Sequence, residues 1–155
     1  MTETHDFEIT MIKTGPMEFK TIFPNENHPE LMIDEPESSG GDDQYPNASK
    51  LLTAAITNCM ASSLVFCLSK ARAEMENFSF TIKAKTHIGR NEQNRLRIKK
   101  IDLEMIPKTS GDPEILKKAL DRCKDKFFNY CTVTQSVKDG IEVTFNIKDT
   151  DLQLN

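Results

Sequence analysis

The longest regular pattern in the chain is a stripe of apolar and small residues that begins at Leu51. Its members recur in pairs every four positions and stay on one side of a 3.6-residue helix over five turns. They stand at positions 51, 52, 55, 56, 59, 60, 63, 64, 67, 68 and 71. Pro46, Asn47 or Ser49 can supply the N-terminal boundary, and the helix must end before Asn77. A helix of ~25 residues is ~37 Å long, which exceeds the needs of a small domain, so we expect another subunit to bury its far end.

Alternation of apolar and polar residues before this helix predicts strands. The alternation runs over residues 7–11 and resumes over 17–21 after the turn signal Thr14-Gly15-Pro16, which indicates an N-terminal hairpin. A short apolar piece at 31–33 predicts a third strand. Residues 34–45 hold serines and a glycine pair among acidic residues, so this stretch is predicted to be a mobile loop.

A second hairpin is predicted after the helix. Alternation begins at Phe78 and returns between Leu96 and Met105, with a turn over 89–94 between the two strands. The phase of the alternation changes at Lys99-Lys100. This change indicates a bulge, because one extra residue restores the apolar set to the core face.

A second helix and a last strand complete the pattern. Asp112 can cap the helix, Pro113 suits its first position, and Glu114 complements its dipole. The apolar face of this helix is formed by Ile115, Leu116, Ala119, Leu120, Cys123 and Phe127. Alternation over residues 141–147, after an Asp-Gly turn, predicts the last strand.

The predicted order of elements is ββ(β)αββαβ. This order favours an α+β fold in which a long central helix packs on antiparallel sheets. A chain of 155 residues can bury roughly two thirds of its unfolded surface, so residues 1–155 are predicted to form a single domain. The tail over 149–155 is expected to be frayed.

Composition and charge argue against several classes of partner. The formal net charge is -4, from 24 acidic against 20 basic side chains, and the basic residues are spread out, so nucleic acid is not expected as a partner. The first seven residues include Glu3 and Asp6 and do not form the apolar segment of a secretory signal. Polar residues interrupt the longest apolar run, from Leu51 to Leu68, which falls short of the ~20 residues of a membrane span. We therefore expect a cytoplasmic protein that does not insert into a membrane.

The four cysteines are expected to be reduced at rest in a cytoplasmic chain. Cys59 belongs to the apolar stripe, where a thiol is either inert packing or a protected reactive group. Cys67 follows two turns later, ~12 Å along a continuous helix, so it cannot bridge to Cys59. We predict that Cys67 and Cys123 pack in the core. Cys131 differs, because it stands where the second helix gives way to a Thr-Val-Thr segment and could resolve an oxidised Cys59.

Other kinds of chemical site lack their sequence signals. No Cys-x-x-Cys or His-x-x-x-His pair occurs, and His5, His28 and His87 are scattered, so no metal site is predicted. A Gly-x-Ser-x-Gly elbow and the phosphate and dinucleotide fingerprints are absent. Neither a serine triad nor a bound cofactor is therefore expected, and Cys59 and Cys131 remain the candidates for chemistry.

Several motifs occur in a fixed order between about Ile33 and Ile147. They read Asp34-Glu35-Pro36, Gly40-Gly41-Asp42, Pro46, Leu51-Leu52-x-Ala54-Ala55-Ile56-x-x-Cys59 and Cys131-x-Val133. Together they resemble the OsmC/Ohr family of thiol peroxidases. The most specific parts are the glycine-pair loop, the helix with its cysteine, and the second cysteine with a valine two residues on.

The resemblance implies an OsmC-like fold and an intertwined homodimer with active sites at the subunit interface. Cys59 would be the peroxidatic thiol, whose thiolate attacks an organic hydroperoxide and becomes a sulfenic acid. The sulfenic acid would condense with Cys131 to a disulfide that a dithiol reductant reopens. The implied role is the reduction of organic hydroperoxides in the response to oxidative stress, without cofactor or metal.

The chain departs from the family's pattern at the residues that support the thiolate. In the family a glutamate typically stands nine or ten residues before the helix cysteine and pairs with an N-terminal arginine. Lys50 and Ser49 occupy those positions here, and no arginine precedes Arg72. Lys50 could itself supply a cation, although a straight helix would place it ~13 Å from Cys59. Lys50 and Ser49 are therefore the candidate supports of the thiolate. Thr132 also replaces the proline that commonly follows the second cysteine.

These departures leave a second hypothesis open. A non-catalytic member of the family would use the same interfacial pocket to bind an apolar or thiol-reactive small molecule. The missing glutamate and arginine favour this binding protein, whereas the retention of both cysteines favours the peroxidase. A structural dimer whose thiols only pack is the third possibility.

Overall fold

The computed structural model describes residues 5–71, 75–124 and 126–145. Antiparallel strands and one long helix form an α+β fold, as the sequence predicts. The chain divides into two compact units, which comprise Met1–Asn58 with Ser79–Lys108 and Cys59–Phe78 with Thr109–Asn155. The single domain over 1–155 stays a prediction, and the tail expected to be frayed lies outside the described residues.

The first unit contains a three-stranded antiparallel sheet in the order β1-β2-β3. Its strands are β1 (Thr10–Lys13), β2 (Glu18–Ile22) and β3 (Leu31–Asp34). The Thr14 and Gly15 N–H groups donate to the Glu18 carbonyl and close the turn between β1 and β2. The N-terminal hairpin and the third strand are therefore confirmed, but β1 starts three residues later than the alternation predicts.

Residues 34–45 are organised around one buried carboxylate. Asp34, which is 2% exposed, accepts hydrogen bonds from the N–H groups of Glu35, Asp42 and Gln44 at 2.8 to 3.1 Å. A single 3₁₀ turn over Glu37–Ser39 lies within the segment, and Gly40 follows it with φ +88°. The predicted mobility of this loop stays a prediction, although these bonds give the loop a defined path.

Gly41→Ala is expected to lower the free energy of unfolding by about 2–3 kcal/mol. A Cβ at this position would overlap the Glu35 carbonyl oxygen and lie 2.6 Å from Asp34 Oδ1, so the backbone would have to move. Gly89→Ala is the matched control, because its Cβ would stand 3.5 Å from Lys99 Cγ, an ordinary contact, and should cost less than about 0.5 kcal/mol. Urea unfolding measures both, and equal losses would contradict the prediction.

A two-stranded antiparallel hairpin follows the long helix. Its strands are β4 (Phe78–Arg90) and β5 (Leu96–Thr109), as the alternation predicts. The Asn91 N–H donates to the Arg95 carbonyl at 2.9 Å and closes the turn. The bulge at Lys99-Lys100 stays a prediction, since β5 runs without a break.

The long helix α1 (Ala48–Lys70) contributes to both units. Asn47 caps it, because its side-chain oxygen accepts the Lys50 N–H at 3.1 Å. The stripe is confirmed by the buried residues Ile56, Met60, Leu64 and Leu68. By length and composition alone this helix could cross a membrane, a test that the core helix of a soluble protein also passes. The polar interruptions therefore do not exclude a span, since small polar residues barely lower the mean hydropathy.

The second unit contains three further helices. They are α2 (Pro113–Cys123), α3 (Phe127–Tyr130) and α4 (Thr132–Asp139). Asp112 caps α2 by accepting the Glu114 N–H at 2.8 Å, as predicted. The prediction that Phe127 continues this helix was wrong, because α2 ends at Cys123 and Phe127 starts a separate turn of helix.

The region after Cys131 differs most from the prediction. The Thr-Val-Thr segment, for which no helix was predicted, is the first turn of α4, whose C-cap is Gly140 with φ +79°. The last strand, predicted over 141–147, is not formed in residues 141–145, and the remainder lies outside the described part. A strand requires a hydrogen-bonded neighbouring strand. The alternation of Ile141, Val143 and Phe145 shows that these side chains would share one face of a strand, but it does not show that a neighbouring strand is present.

Candidate active site

The first turn of α4 positions Cys131. This residue is the N-cap of the helix, and its sulfur accepts a hydrogen bond from the Thr134 N–H at 3.4 Å. The Thr134 hydroxyl oxygen lies 2.9 Å from the same sulfur, and the Ser63 side chain of α1 also hydrogen-bonds to it. Cys131 is 0% exposed. Its sulfur is therefore held by the helix that it caps and is shielded from solvent within the chain.

Cys59 lies against Cys131, and the two thiols share a hydrogen bond. The backbone N–H groups of Val133 and Thr134 also hydrogen-bond to the Cys59 sulfur, so both sulfurs face the N-terminus of α4. Cys59 keeps partial exposure, whereas Cys131 is buried. The structure thus brings together the two cysteines that the sequence singles out, and Cys59 is the one that a dissolved molecule can reach.

The two thiols titrate as a coupled pair. Burial, followed by the hydrogen bond to Cys131, raises the pKa of Cys59. Burial also acts to raise the pKa of Cys131, but its hydrogen bonds with Cys59, Thr134 and Ser63 outweigh the effect of burial, so the pKa of Cys131 is lowered. The pair therefore loses its first proton more readily than an ordinary thiol and its second less readily. The N–H groups at the start of α4 stabilise the single negative charge that results.

Substitution of either cysteine is expected to shift the pKa of the other, in opposite directions. Cys131→Ser removes a neighbour whose negative charge opposes a second one, so the pKa of Cys59 should fall. Cys59→Ala removes a hydrogen-bond donor, so the pKa of Cys131 should rise. The pH dependence of iodoacetamide modification, resolved for each cysteine by mass analysis, measures both shifts. Two shifts in the same direction would contradict the coupling.

The candidate supports Ser49 and Lys50 lie in the first turn of α1, within the first unit. They line an open cleft of about 350 Å³, together with Asn47, Thr53, Ala84, Thr86 and Ile88. The Lys50 ammonium forms an ion pair with Asp43 at 3.0 Å, and the Ser49 carbonyl accepts the Thr53 hydroxyl at 2.9 Å. The role of Ser49 and Lys50 as supports of the thiolate stays a prediction.

The other two cysteines, Cys67 and Cys123, form a disulfide with their Cα atoms 5.8 Å apart. The prediction of four reduced cysteines was therefore wrong, although Cys123 is fully buried as expected. Helical periodicity shows which face of a helix carries each cysteine, but not that two faces meet. Among the described residues no group of His, Cys, Asp or Glu side chains is arranged to hold a metal ion.

Sequence reasoning missed the groups that surround the sulfurs, namely Ser63, Thr134 and the start of α4. The β-branched residues after Cys131 favour a strand, and cysteine is not a usual N-cap residue. A signal was nevertheless present in Asp139-Gly140. This pair also fits a helix that ends at a glycine with positive φ, which is what the structure contains.

Several solved structures have the same fold as this chain. An OsmC-like protein of unknown function from Vibrio cholerae has a TM-score of 0.64 and 13% identity, covering 87% of this chain and 95% of that chain. The organic hydroperoxide resistance protein OsmC of Legionella pneumophila has a TM-score of 0.61 and 14% identity, covering 88% and 92%. An organic hydroperoxide resistance protein from Elizabethkingia anophelis has a TM-score of 0.52 and 22% identity, covering 81% and 88%. At these identities the likeness shows the fold alone.

Comparison at the level of sequence identifies the family. A search of curated proteins found no match. The model of the family described as OsmC-like protein matches residues 40–146, a span that contains α1, the β4-β5 hairpin and both free cysteines. Because the match covers more than half of the 155 residues, the chain belongs to the OsmC-like family.

Proposed function

We propose that this protein is a thiol-dependent peroxidase that reduces organic hydroperoxides with Cys59 and Cys131 in the response to oxidative stress. The observation that carries the proposal is the contact between the two thiols at the N-terminus of α4, with one sulfur partly exposed and the other buried. Two structural relatives are named organic hydroperoxide resistance proteins, which supports the same class of substrate here.

Exposure determines the order in which the two sulfurs act. The Cys59 thiolate attacks the hydroxyl oxygen of the hydroperoxide, the O–O bond breaks, and the alkoxide leaves and takes up a proton as an alcohol. Cys59 is then a sulfenic acid. The Cys131 thiol attacks the oxidised sulfur, an S–S bond forms, and water leaves. A dithiol reductant opens this bond by exchange and becomes a disulfide itself.

The reactive form of the pair carries its single negative charge on Cys59. The hydrogen bond between the sulfurs lets the remaining proton pass from Cys59 to Cys131, against the raised pKa of Cys59 and the lowered pKa of Cys131, so this form is the minor one. The N–H groups of Val133 and Thr134 hydrogen-bond to that sulfur. In this proposal the start of α4 replaces the arginine of the family, so the absence of arginine before Arg72 does not remove the stabilisation of the thiolate.

The surroundings of the pair favour a hydroperoxide with an apolar substituent. Cys59 lies on the apolar stripe of α1, whose members Met60, Leu64 and Leu68 are covered within the chain. An alkyl group gains about 25 cal/mol per Å² where it leaves water, so the apolar setting of the partly exposed Cys59 favours a substrate with an alkyl substituent over hydrogen peroxide, which has none. We therefore propose organic hydroperoxides as the substrates.

Wild-type protein supplied with tert-butyl hydroperoxide and a dithiol reductant should consume the peroxide over many turnovers. One equivalent of the peroxide without reductant should produce a Cys59–Cys131 bridge, which mass analysis locates. Protein incubated without peroxide is the control and should contain only the Cys67–Cys123 bond. The proposal would be overturned if the peroxide were not consumed and no new bridge formed.

A second candidate function is non-catalytic binding of an apolar or thiol-reactive small molecule. The raised pKa of Cys59 favours it, because a protonated sulfur is a poor nucleophile towards a peroxide. Thiol titration separates the two candidates. A binding protein would show Cys59 reacting only above the ordinary thiol pKa of about 8.5, whereas the peroxidase requires a thiolate at neutral pH.

We also propose that the protein is a cytoplasmic, intertwined homodimer with the active site at the interface. Its support is the apolar side chains left exposed in each unit of the single chain: Phe7 of the first unit is 82% exposed, and Val143 and Phe145 of the second are each 85% exposed. An alternating apolar segment with no neighbouring strand can be covered by a second copy. Light scattering should give twice the mass of the chain, and the mass of one chain would contradict the dimer.

A further inference from the structure

Two pairs of cysteines join the same two segments of the second unit. Cys59 and Cys67 lie eight residues apart on α1, and Cys123 and Cys131 lie eight residues apart between the end of α2 and the start of α4. Cys67 is bonded to Cys123, and Cys59 contacts Cys131. The disulfide is therefore a covalent crosslink next to the pair that carries the proposed chemistry.

Short-range hydrogen bonds connect Cys123 to the helix that Cys131 caps. The Lys126 N–H donates to the Cys123 carbonyl at 2.8 Å. In α4, Gln135 Nε2 donates to the Phe128 carbonyl of α3 at 2.8 Å. Because these turns leave little free chain between the two cysteines, the position of Cys131 depends on where Cys123 is anchored.

We propose that the Cys67–Cys123 bond is a second redox site, opened by the dithiol reductant, whose bonded form holds Cys131 against Cys59. The inference rests on the proposed function, since the step that it controls is the condensation of Cys131 with the oxidised Cys59. It assigns Cys67 and Cys123 as positioning residues for that step.

The difference in exposure sets the route by which the bond opens. Cys67 keeps partial exposure, whereas Cys123 is 0% exposed. A thiolate of the reductant attacks the Cys67 sulfur and forms a mixed disulfide, and Cys123 leaves as a thiolate that takes up a proton. The second thiol of the reductant then displaces Cys67. Two protein thiols are formed and the dithiol becomes a disulfide, so electrons and protons balance.

Opening the bond lowers the effective concentration of Cys131 at the Cys59 sulfenic acid. Without the crosslink, α2 to α4 are held to α1 by packing and hydrogen bonds alone, so Cys131 spends less time in contact with Cys59. Condensation slows, and a second hydroperoxide can oxidise the sulfenic acid to sulfinic acid. The second site would therefore couple the supply of reductant to the balance between turnover and inactivation.

The test compares wild type with Cys67→Ser, Cys123→Ser and the double variant in glutathione buffers without peroxide. Mass analysis measures the fraction of Cys59–Cys131 bridge at ratios that leave the wild-type Cys67–Cys123 bond intact. We expect the equilibrium constant for the bridge to fall about tenfold in all three variants. Each single variant breaks the same bond, so each is the control for the other. An unchanged equilibrium constant, or a fall in only one of the two single variants, would overturn the inference.

A second measurement uses the wild-type chain and does not depend on how the variants fold. Titration with dithiothreitol, with both bonds mapped at each point, should open the Cys67–Cys123 bond while circular dichroism stays that of the folded protein. The opened protein, given tert-butyl hydroperoxide, should accumulate more Cys59 sulfinic acid than the bonded protein. A bond that opens only on unfolding would overturn the inference. The glutathione equilibrium contains no peroxide, so a failure of the peroxidase proposal remains distinguishable.

Discussion

Cys59→Ser is expected to lower the steady-state rate of tert-butyl hydroperoxide reduction by roughly three orders of magnitude or more. A serine hydroxyl stays protonated at any pH at which the protein is folded, and its oxygen cannot take the oxygen atom of a peroxide as sulfur does. The buried Cys131 cannot substitute, because it is 0% exposed. Consumption of the peroxide with a dithiol reductant, followed over many turnovers, measures the loss.

The structural cost of this substitution should be small. Serine is close to cysteine in size, and Cys59 is only partly buried, so circular dichroism and urea unfolding should match wild type within about 1 kcal/mol. Loss of activity with retained stability would identify Cys59 as the nucleophile. Equal rates in wild type and Cys59→Ser would show that any reduction of peroxide occurs elsewhere.

Cys131→Ser is expected to slow turnover strongly but to keep the first step. Cys59 still forms a sulfenic acid, and no partner thiol condenses with it, so the protein should consume about one equivalent of hydroperoxide in a burst. Excess peroxide should then convert Cys59 to sulfinic acid. A dithiol that reduces the sulfenic acid directly leaves a slow residual turnover, which we expect to be roughly a hundredfold below wild type.

The comparison between the two serine variants distinguishes their roles. Serine at position 131 can still cap α4, since serine is a preferred N-cap residue, so the helix that holds the Thr134 N–H should persist. Cys59→Ser should show no burst, whereas Cys131→Ser should show a full one. Full turnover in Cys131→Ser, without sulfinic acid at Cys59, would contradict the assignment of Cys131 as the resolving thiol.

Caps, turn residues and the periodicity of apolar positions predicted the helices and strands whose bounds are set by neighbouring residues in the sequence. The apolar stripe and the cap at Asn47 place α1 within a few residues, and the Asp112-Pro113-Glu114 start places α2. Both hairpins follow from turn residues between alternating stretches. The prediction is worst after Cys131. No helix was predicted where α4 forms with the Cys131 sulfur as its cap, and the strand expected over 141–147 is not formed in residues 141–145.

The sequence predicted the two cysteines of the candidate site but not the groups around them. The resemblance to a family singled out Cys59 and Cys131, whereas helical periodicity alone would have placed Cys59 in the core. Neither source identified Ser63 or Thr134, which contact the sulfurs through side-chain and backbone groups brought together by packing. The N–H groups at the start of α4, which we propose in place of the missing arginine, are not indicated by any residue type in the sequence.

By itself the sequence determined the α+β class, the long helix with Cys59 on its apolar stripe, and the family, because each of these depends on local periodicity, on caps or on motifs read in order. The resemblance implied that Cys59 meets Cys131, but only the tertiary structure showed that Cys67 meets Cys123. Cys67 is bonded to Cys123, 56 residues away, and Cys59 shares a hydrogen bond with Cys131. Periodicity gives the face of each helix, whereas contact between two faces depends on how distant segments pack, and that packing also sets the pKa of each thiol.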